Sequence, residues 1–260
     1  MNKDERVQVL SLGAGLQSSA LYLMAASGEL PGLDFAVFAD TQAEPRAVYQ
    51  TLWRLGEVAS EPGAPPIFTA TRGDLGVHCE TAASDGRSAS NPPLFTGEGS
   101  GLLRRKCTID WKITVIRREM RRHLGRSASV DLWLGITTDE AHRMKPSRVQ
   151  WVRHQYPLID LNMRRSDVSA WFRDRGMDPP AASACVFCPY RSDANWRRLK
   201  SEDPDGFARA VRFDHTIRAG FSGSKAPPFV HRSCRPLDVV NFSESQRDLF
   251  GDECAGICGV

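Results

Sequence analysis

The sequence predicts an α/β fold, a parallel sheet with helices on both faces. Two observations carry that expectation. Short β-rich runs alternate with helical stretches between residues 7 and 136, the rhythm of strands joined by crossover helices. The first run leads at once into a glycine-rich turn and a helix, which is how such a sheet presents its ligand-binding edge.

Residues 7–12 (VQVLSL) form the first expected strand. Gly13-Ala14-Gly15 follows, then a helix from Ser18 to about Ala26 with Gly28 just beyond its end. Residues 35–39 are the second strand. Pro45 opens a helix through Trp53 to Val58, because proline at the first helical position forfeits no hydrogen bond. Residues 66–70 are the third strand. Residues 73–104 turn rich in glycine, serine and asparagine and read as a long mobile loop, a candidate lid. An arginine-rich helix from about Lys112 to His123 and a strand over residues 130–136 restore regularity. Ser166-Asp167 starts a helix ending at Gly176, and past Pro204 a helix carries Phe207, Val211 and His215 on one face. Residues 221–260 look irregular.

The 260 residues suffice for a large domain with a substantial core. Charge is nearly balanced, 34 Lys+Arg against 31 Asp+Glu, and a net charge of +3 does not by itself imply nucleic acid. The cations are clumped, as in Arg104-Arg105-Lys106, Arg117-Arg118 and Arg121-Arg122-His123. Each clump is either a solvated helix face or part of an anion-lined cleft. Residues 1–6 are charged, without the apolar core of a secretory signal, and no apolar run is long enough to span a bilayer. We therefore expect no membrane partner and a cytoplasmic setting. Thiols stay reduced there, so the seven cysteines read as ligands or reactive groups rather than disulfides.

The chemistry begins at residues 11–19, SLGAGLQSS. Gly13 and Gly15 let the backbone approach oxygens, while free N–H groups and the dipole at the helix start favour an anion. Ser18 and Ser19 add hydroxyl donors. Arg143, Lys145 and Arg148 follow a strand end, where parallel sheets hold ligands, and arginine grips an oxyanion bidentately.

This segment resembles the PP-loop of adenine nucleotide α-hydrolase-like proteins, whose usual form is S-G-G-x-D-S. Within that group it is most similar to the sulfonucleotide reductase family, which reduces phosphoadenosine phosphosulfate (PAPS) or adenosine phosphosulfate (APS). Other blocks agree in order. Asp40-Thr41 resembles the family's D-T pair. Residues 135–143, GITTDEAHR, resemble its G-x-R-x-x-Q-S-x-x-R block. Pro157-Leu158-Ile159-Asp160 resembles its P-L-x-D/E-W stretch, and residues 183–188, SACVFC, its G-C-x-x-C. The resemblance, from about residue 7 to 190, implies a Rossmann-like sheet and an adenine nucleotide as ligand. It implies a nucleotide site of Ser11, Gly13, Gly15, Gln17, Ser18, Asp40, Gly135, Arg143, Lys145 and Arg148. Residues 1–200 are then the nucleotide-binding domain and residues 201–260 a helical and irregular extension.

Gln17 stands where ATP-cleaving relatives carry Asp. A neutral amide is a poorer Mg²⁺ ligand than a carboxylate but still donates to a phosphate or sulfate oxygen, which favours a sulfonucleotide. Asp139 and Glu140 replace neutral or basic residues of the family, with ribose or a metal as candidate partners.

Cys185 and Cys188 form a CxxC turn before Pro189, and Cys107 lies upstream at the separation seen in iron–sulfur members of the family. Thiolates suit soft iron, and the resemblance implies a [4Fe–4S] cluster. The cluster-bearing form has two adjacent cysteines where this chain has Cys107-Thr108. Three thiolates leave one iron open, or completed by a residue such as Cys234, Cys254 or Cys258. An open iron is what ATP-dependent thiolation enzymes of the superfamily use to carry sulfide. Zinc is the alternative, since His231 and Cys234 with Cys185 and Cys188 make a tetrahedral Cys₃His set.

The tail, Glu253-Cys254-Ala255-Gly256-Ile257-Cys258, resembles the family's E-C-G-I-H-like end, whose cysteine attacks the sulfur of the nucleotide. Cys254 is then the nucleophile, Cys258 a resolving thiol, and thioredoxin or glutaredoxin the reductant. Two enzymatic readings stay open. One is thiol-dependent reduction of PAPS or APS; the other is ATP-driven sulfur insertion into a nucleic acid, releasing AMP and pyrophosphate. A third reading is a zinc-containing nucleotide- or redox-sensing module.

Overall fold

The computed structural model describes residues 6–30, 32–97, 101–223 and 226–242. β1 (Val7–Leu12) leads through α1 (Leu16–Ala26) to β2 (Phe35–Asp40), and α2 (Arg46–Ala59) leads on to β3 (Ile67–Thr71). Both strand pairs are parallel, so half of the sheet grows outward from β1.

A helix that the composition hides comes next. α3 (Leu75–Ser84) starts at Asp74, whose carboxylate accepts the N–H groups of Gly76 and Val77, and it buries Cys79, Ala82 and Ala83. Residues 73–104 are therefore not the uninterrupted loop expected of them, since the glycine and serine bias begins only past Ser84. The segment ends in a small hairpin, β4 (Phe95–Thr96) with β5 (Gly101–Leu102).

A π-helical turn, Thr108–Ile113, continues into α4 (Thr114–Leu124) and on to β6 (Val130–Trp133). A 3₁₀ turn, Thr138–Arg143, precedes the edge strand β7 (Val152–Gln155) and the short α5 (Pro157–Asp160). α6 (Arg165–Arg173), α7 (Asp193–Glu202) and α8 (Pro204–Ile217) follow, and β8 (Pro228–Phe229) pairs with β4. No helix among the described residues is long and apolar enough to cross a membrane.

The main sheet has the order β3-β2-β1-β6-β7, parallel throughout. Side chains alternate across it with the period of two that a strand imposes. Leu10, Leu12, Ala36 and Phe38 pack with α1, α2 and α6 on one face. Val9, Val37 and Leu132 pack with Val115, Ile116 and Met120 of α4 on the other. Helices cover both faces, as the sequence predicts. A third cluster joins α3, α7 and α8 and contains Cys185 and Cys188, with Phe187 stacked on Phe213 at 3.9 Å. It draws on residues from both sides of position 200, which itself lies inside α7.

From β3 the chain crosses back to β6 on the far side of β1. The direction of winding reverses between β1 and β6, and the carboxyl ends of strands at such a reversal are where parallel sheets hold their ligands. Residues 13–15 leave one strand and Gly135 follows the other.

Asp131 ties the sheet together from inside β6. Its buried carboxylate accepts from Arg153, Arg6, Gln8 and Gln155. Burial pushes its pKa up, but the Arg153 and Arg6 bonds, with those of Gln8 and Gln155, outweigh this and hold it at about 2. A depressed carboxylate stabilises the fold above its unfolded pKa, ~3.9, and that contribution fades as pH falls towards the folded value. Asp131→Asn is expected to cost about 2 kcal/mol at neutral pH and to flatten the loss of stability between about pH 4 and pH 2. Urea unfolding across that range checks it.

Candidate functional site

Ala14 takes a left-handed conformation, φ 52°, and Gly15 is the extended N-cap of α1. The turn is closed by the Gly13 N–H donating to Ser18 Oγ at 3.1 Å. Gly15 has no side chain with which to cap α1, and the helix dipole stands behind the first-turn N–H groups. Two other segments close on this turn. A Cβ at Gly15 would stand 2.7 Å from Ser183 Oγ and 3.2 Å from the Ser183 nitrogen. One at Gly135 would stand 3.0 Å from both Gln17 Cβ and the Ser18 nitrogen. The loop, the 135 block and the 183 block, far apart in sequence, meet beyond the carboxyl ends of β1 and β6.

Gln17 is buried and donates its amide to Glu140 at 2.9 Å, while Glu140 pairs with Arg143 at 2.8 Å. Asp139 accepts the Arg165 N–H at 3.1 Å at the start of α6. Burial pushes the Asp139 pKa up, but its bonds from Thr137 and the Arg165 N–H outweigh this and leave it lowered. Asp40, at the carboxyl end of β2, accepts the Gln42 N–H at 2.8 Å and the Tyr49 hydroxyl at 2.9 Å. Ser11 is buried within β1. Lys145 is anchored by its backbone to the Tyr156 hydroxyl at 3.0 and 2.8 Å, with an exposed side chain, and Arg148 is exposed. The structure thus gathers Gln17, Ser18, Gly135 and Arg143 at the loop and leaves Lys145 and Arg148 on the surface.

Cys107, Cys185 and Cys188 line one cavity with Thr41, Arg105 and Lys112. The CxxC turn is held by the Val186 N–H on the Ala43 carbonyl at 2.8 Å and by Arg191 donating to the Ala184 carbonyl at 2.7 Å. Hydrogen bonding with Cys188, and then burial, raises the Cys185 pKa well above the usual thiol range. Beside the cavity, Lys112 Nζ meets Glu44 Oε1 at 3.1 Å, and the Thr41 hydroxyl donates to the same oxygen at 3.0 Å. Glu44 and Lys112 escape a sequence reading because their partnership spans two elements. Thr108 Oγ1, on the cavity wall, is buried with no hydrogen-bond partner among the described residues.

Three thiols around one cavity suit a thiolate-bound metal in kind. As they stand, however, no three His, Cys, Asp or Glu side chains among the described residues are drawn together as metal ligands. Cys234 does not line this cavity; it lies in the turn after β8, its Sγ 4.0 Å from the Arg232 carbonyl. The expected Cys₃His zinc set is not assembled either. His231 is committed at both ring nitrogens, to Ser233 Oγ at 2.8 Å and to Asp193 at 3.0 Å. Cys254 and Cys258 lie outside the described residues.

No protein-family model matches the chain, and no curated protein matches it. Among solved structures the chain is similar to the phosphoadenylyl-sulfate (PAPS) reductase of Candida auris, determined as a phosphate complex. Identity is 14%, the match covers 68% of this chain and 76% of that one, and the TM-score is 0.45.

Proposed function

We propose that the chain is an adenine-nucleotide-dependent enzyme of sulfur chemistry, and that it reduces a sulfonucleotide, PAPS or APS, at the expense of a thiol. One observation carries this: Ser183 lies against Gly15. The segment that carries Cys185 and Cys188 begins against the loop, so a nucleotide held there would lie at the start of the cysteine-bearing segment.

In this reading the loop amides and Arg143 hold the phosphate groups. Cys254 attacks the sulfur as a thiolate, the S–O bond to the nucleotide's phosphate breaks, and the nucleotide leaves with the electron pair. The sulfonate stays on Cys254 Sγ. A thiolate of thioredoxin or glutaredoxin then attacks Sγ, sulfite leaves with its pair, and the reductant's second thiol resolves the mixed disulfide and frees Cys254; where Cys258 resolves it instead, the Cys254–Cys258 disulfide so formed is reduced by the same dithiol. Cys107, Cys185 and Cys188 are the thiols we assign to an iron–sulfur or zinc centre, which would tie the 107 and 183 segments together beside the loop. No step of the reduction runs through it.

Sulfite release from PAPS and APS with reduced thioredoxin tests the reading. Cys254→Ser is expected to lower the rate by roughly a thousandfold or more, as loss of a covalent nucleophile does. The second reading is ATP-driven sulfur transfer to a nucleic acid. It is favoured by the three-cysteine cavity from which Cys234 stands apart, the set an open, sulfide-carrying iron needs. Pyrophosphate release from ATP stimulated by tRNA or DNA, with no sulfite from either sulfonucleotide, establishes that reading and sinks the first.

A further inference from the structure

Gln17 and Arg143, the two side chains best placed to reach a phosphate at the loop, both already bind one carboxylate. Gln17 Nε2 donates to Glu140 Oε2 at 2.9 Å, and Arg143 Nη1 meets Glu140 Oε1 at 2.8 Å. Gln17 is 4% exposed, and the side chains of Arg143 and Glu140 are 12% and 16% exposed, so the contact is made largely out of water. Gln17 is the second residue of α1, whose uncapped first turn favours negative charge. The carboxylate therefore holds an amide donor and a guanidinium, groups with which proteins bind oxyanions, and the amide belongs to the first turn of a helix. The turn that carries it is fixed independently, by the Thr138 N–H on the Met163 carbonyl at 2.9 Å and by Asp139 on the Arg165 N–H.

We infer that Glu140 is an internal anion that occupies the phosphate-reading groups and so determines which ligands the site admits. The inference rests on the proposed nucleotide reading of the loop. A phosphate arriving at Arg143 must displace the carboxylate or share the guanidinium with a like charge a few ångströms away. Glu140 therefore opposes anionic ligands selectively and leaves the affinity for an uncharged nucleoside unaffected. Were Glu140 only a brace for its turn, its removal would loosen charged and uncharged ligands alike.

Equilibrium binding of AMP, pyrophosphate and adenosine to wild type, Glu140→Gln and Glu140→Ala, at fixed ionic strength in EDTA, separates these cases. AMP and pyrophosphate are expected to bind about tenfold tighter to both variants, with adenosine unchanged and the gain lost when Arg143→Gln is added. Anion affinities that stay equal or fall in a folded Glu140→Gln protein overturn the inference, as does a parallel loss of adenosine. Should neither neutral variant fold, Glu140→Asp, which draws the charge back from Arg143, must show the same selective tightening at smaller size. If wild type and variants alike bind none of the three ligands, the nucleotide reading itself fails and takes this inference with it.

Discussion

Gly15→Ala is expected to abolish AMP binding and to destabilise the fold by about 1–3 kcal/mol, the cost of overpacking a closed site. The added methyl would stand 2.7 Å from Ser183 Oγ, 3.1 Å from Ser183 Cβ and 3.2 Å from the Ser183 nitrogen. The hydroxyl can rotate away, but Cβ and the backbone nitrogen cannot. The strain therefore moves either the loop or the cysteine-bearing segment, and both positions matter to the proposed chemistry. Adding Ser183→Ala removes only the closest atom, so it should recover part of the stability and less of the binding. Denaturant unfolding and an AMP titration on the single and double variants check this. A Gly15→Ala protein as stable and as competent as wild type would mean that the two segments are not in contact.

Lys112→Met is expected to cost about 3–5 kcal/mol, because it strands a carboxylate in the interior. The Glu44 side chain is 1% exposed and that of Lys112 11%, and Nζ and Oε1 are 3.1 Å apart. Removing both charges removes the need for pairing, so Glu44→Gln with Lys112→Met should be markedly more stable than Lys112→Met alone. A double-mutant cycle by guanidinium unfolding measures the coupling. A cost below about 1 kcal/mol for Lys112→Met would show that water reaches the pair, as at a surface ion pair.

Much of the sheet is legible in the sequence because β1 and β2 alternate their side chains between two helical layers, and Gly13 and Gly15 mark the turn between strand and helix. α3 is not legible from composition, since its one strong signal is Asp74 as a cap in a stretch that soon turns glycine-rich. β7 (VRHQ) and α7 are hidden by their polarity; of the ten residues of α7 only Trp196 and Leu199 are buried. At the site, the loop, the 135 block and the 183 block meet although they lie far apart in sequence. Lys145 and Arg148 do not follow Arg143 there, because the 3₁₀ turn ends at Arg143 and the backbone extends from Met144. At the HxxC, Asp193, at the start of the helix that polarity conceals, is bonded to one ring nitrogen of His231. Pairs such as Glu44 with Lys112, or Gln17 with Glu140, exist only once distant segments are folded together.

A crystal soaked with AMP tests the phosphate loop most directly. The phosphate should sit on the backbone N–H groups at the start of α1, with Glu140 turned away from Arg143. A nucleotide bound elsewhere in the crystal, with Ser183 and Glu140 still closed over an undisturbed turn, would contradict the account.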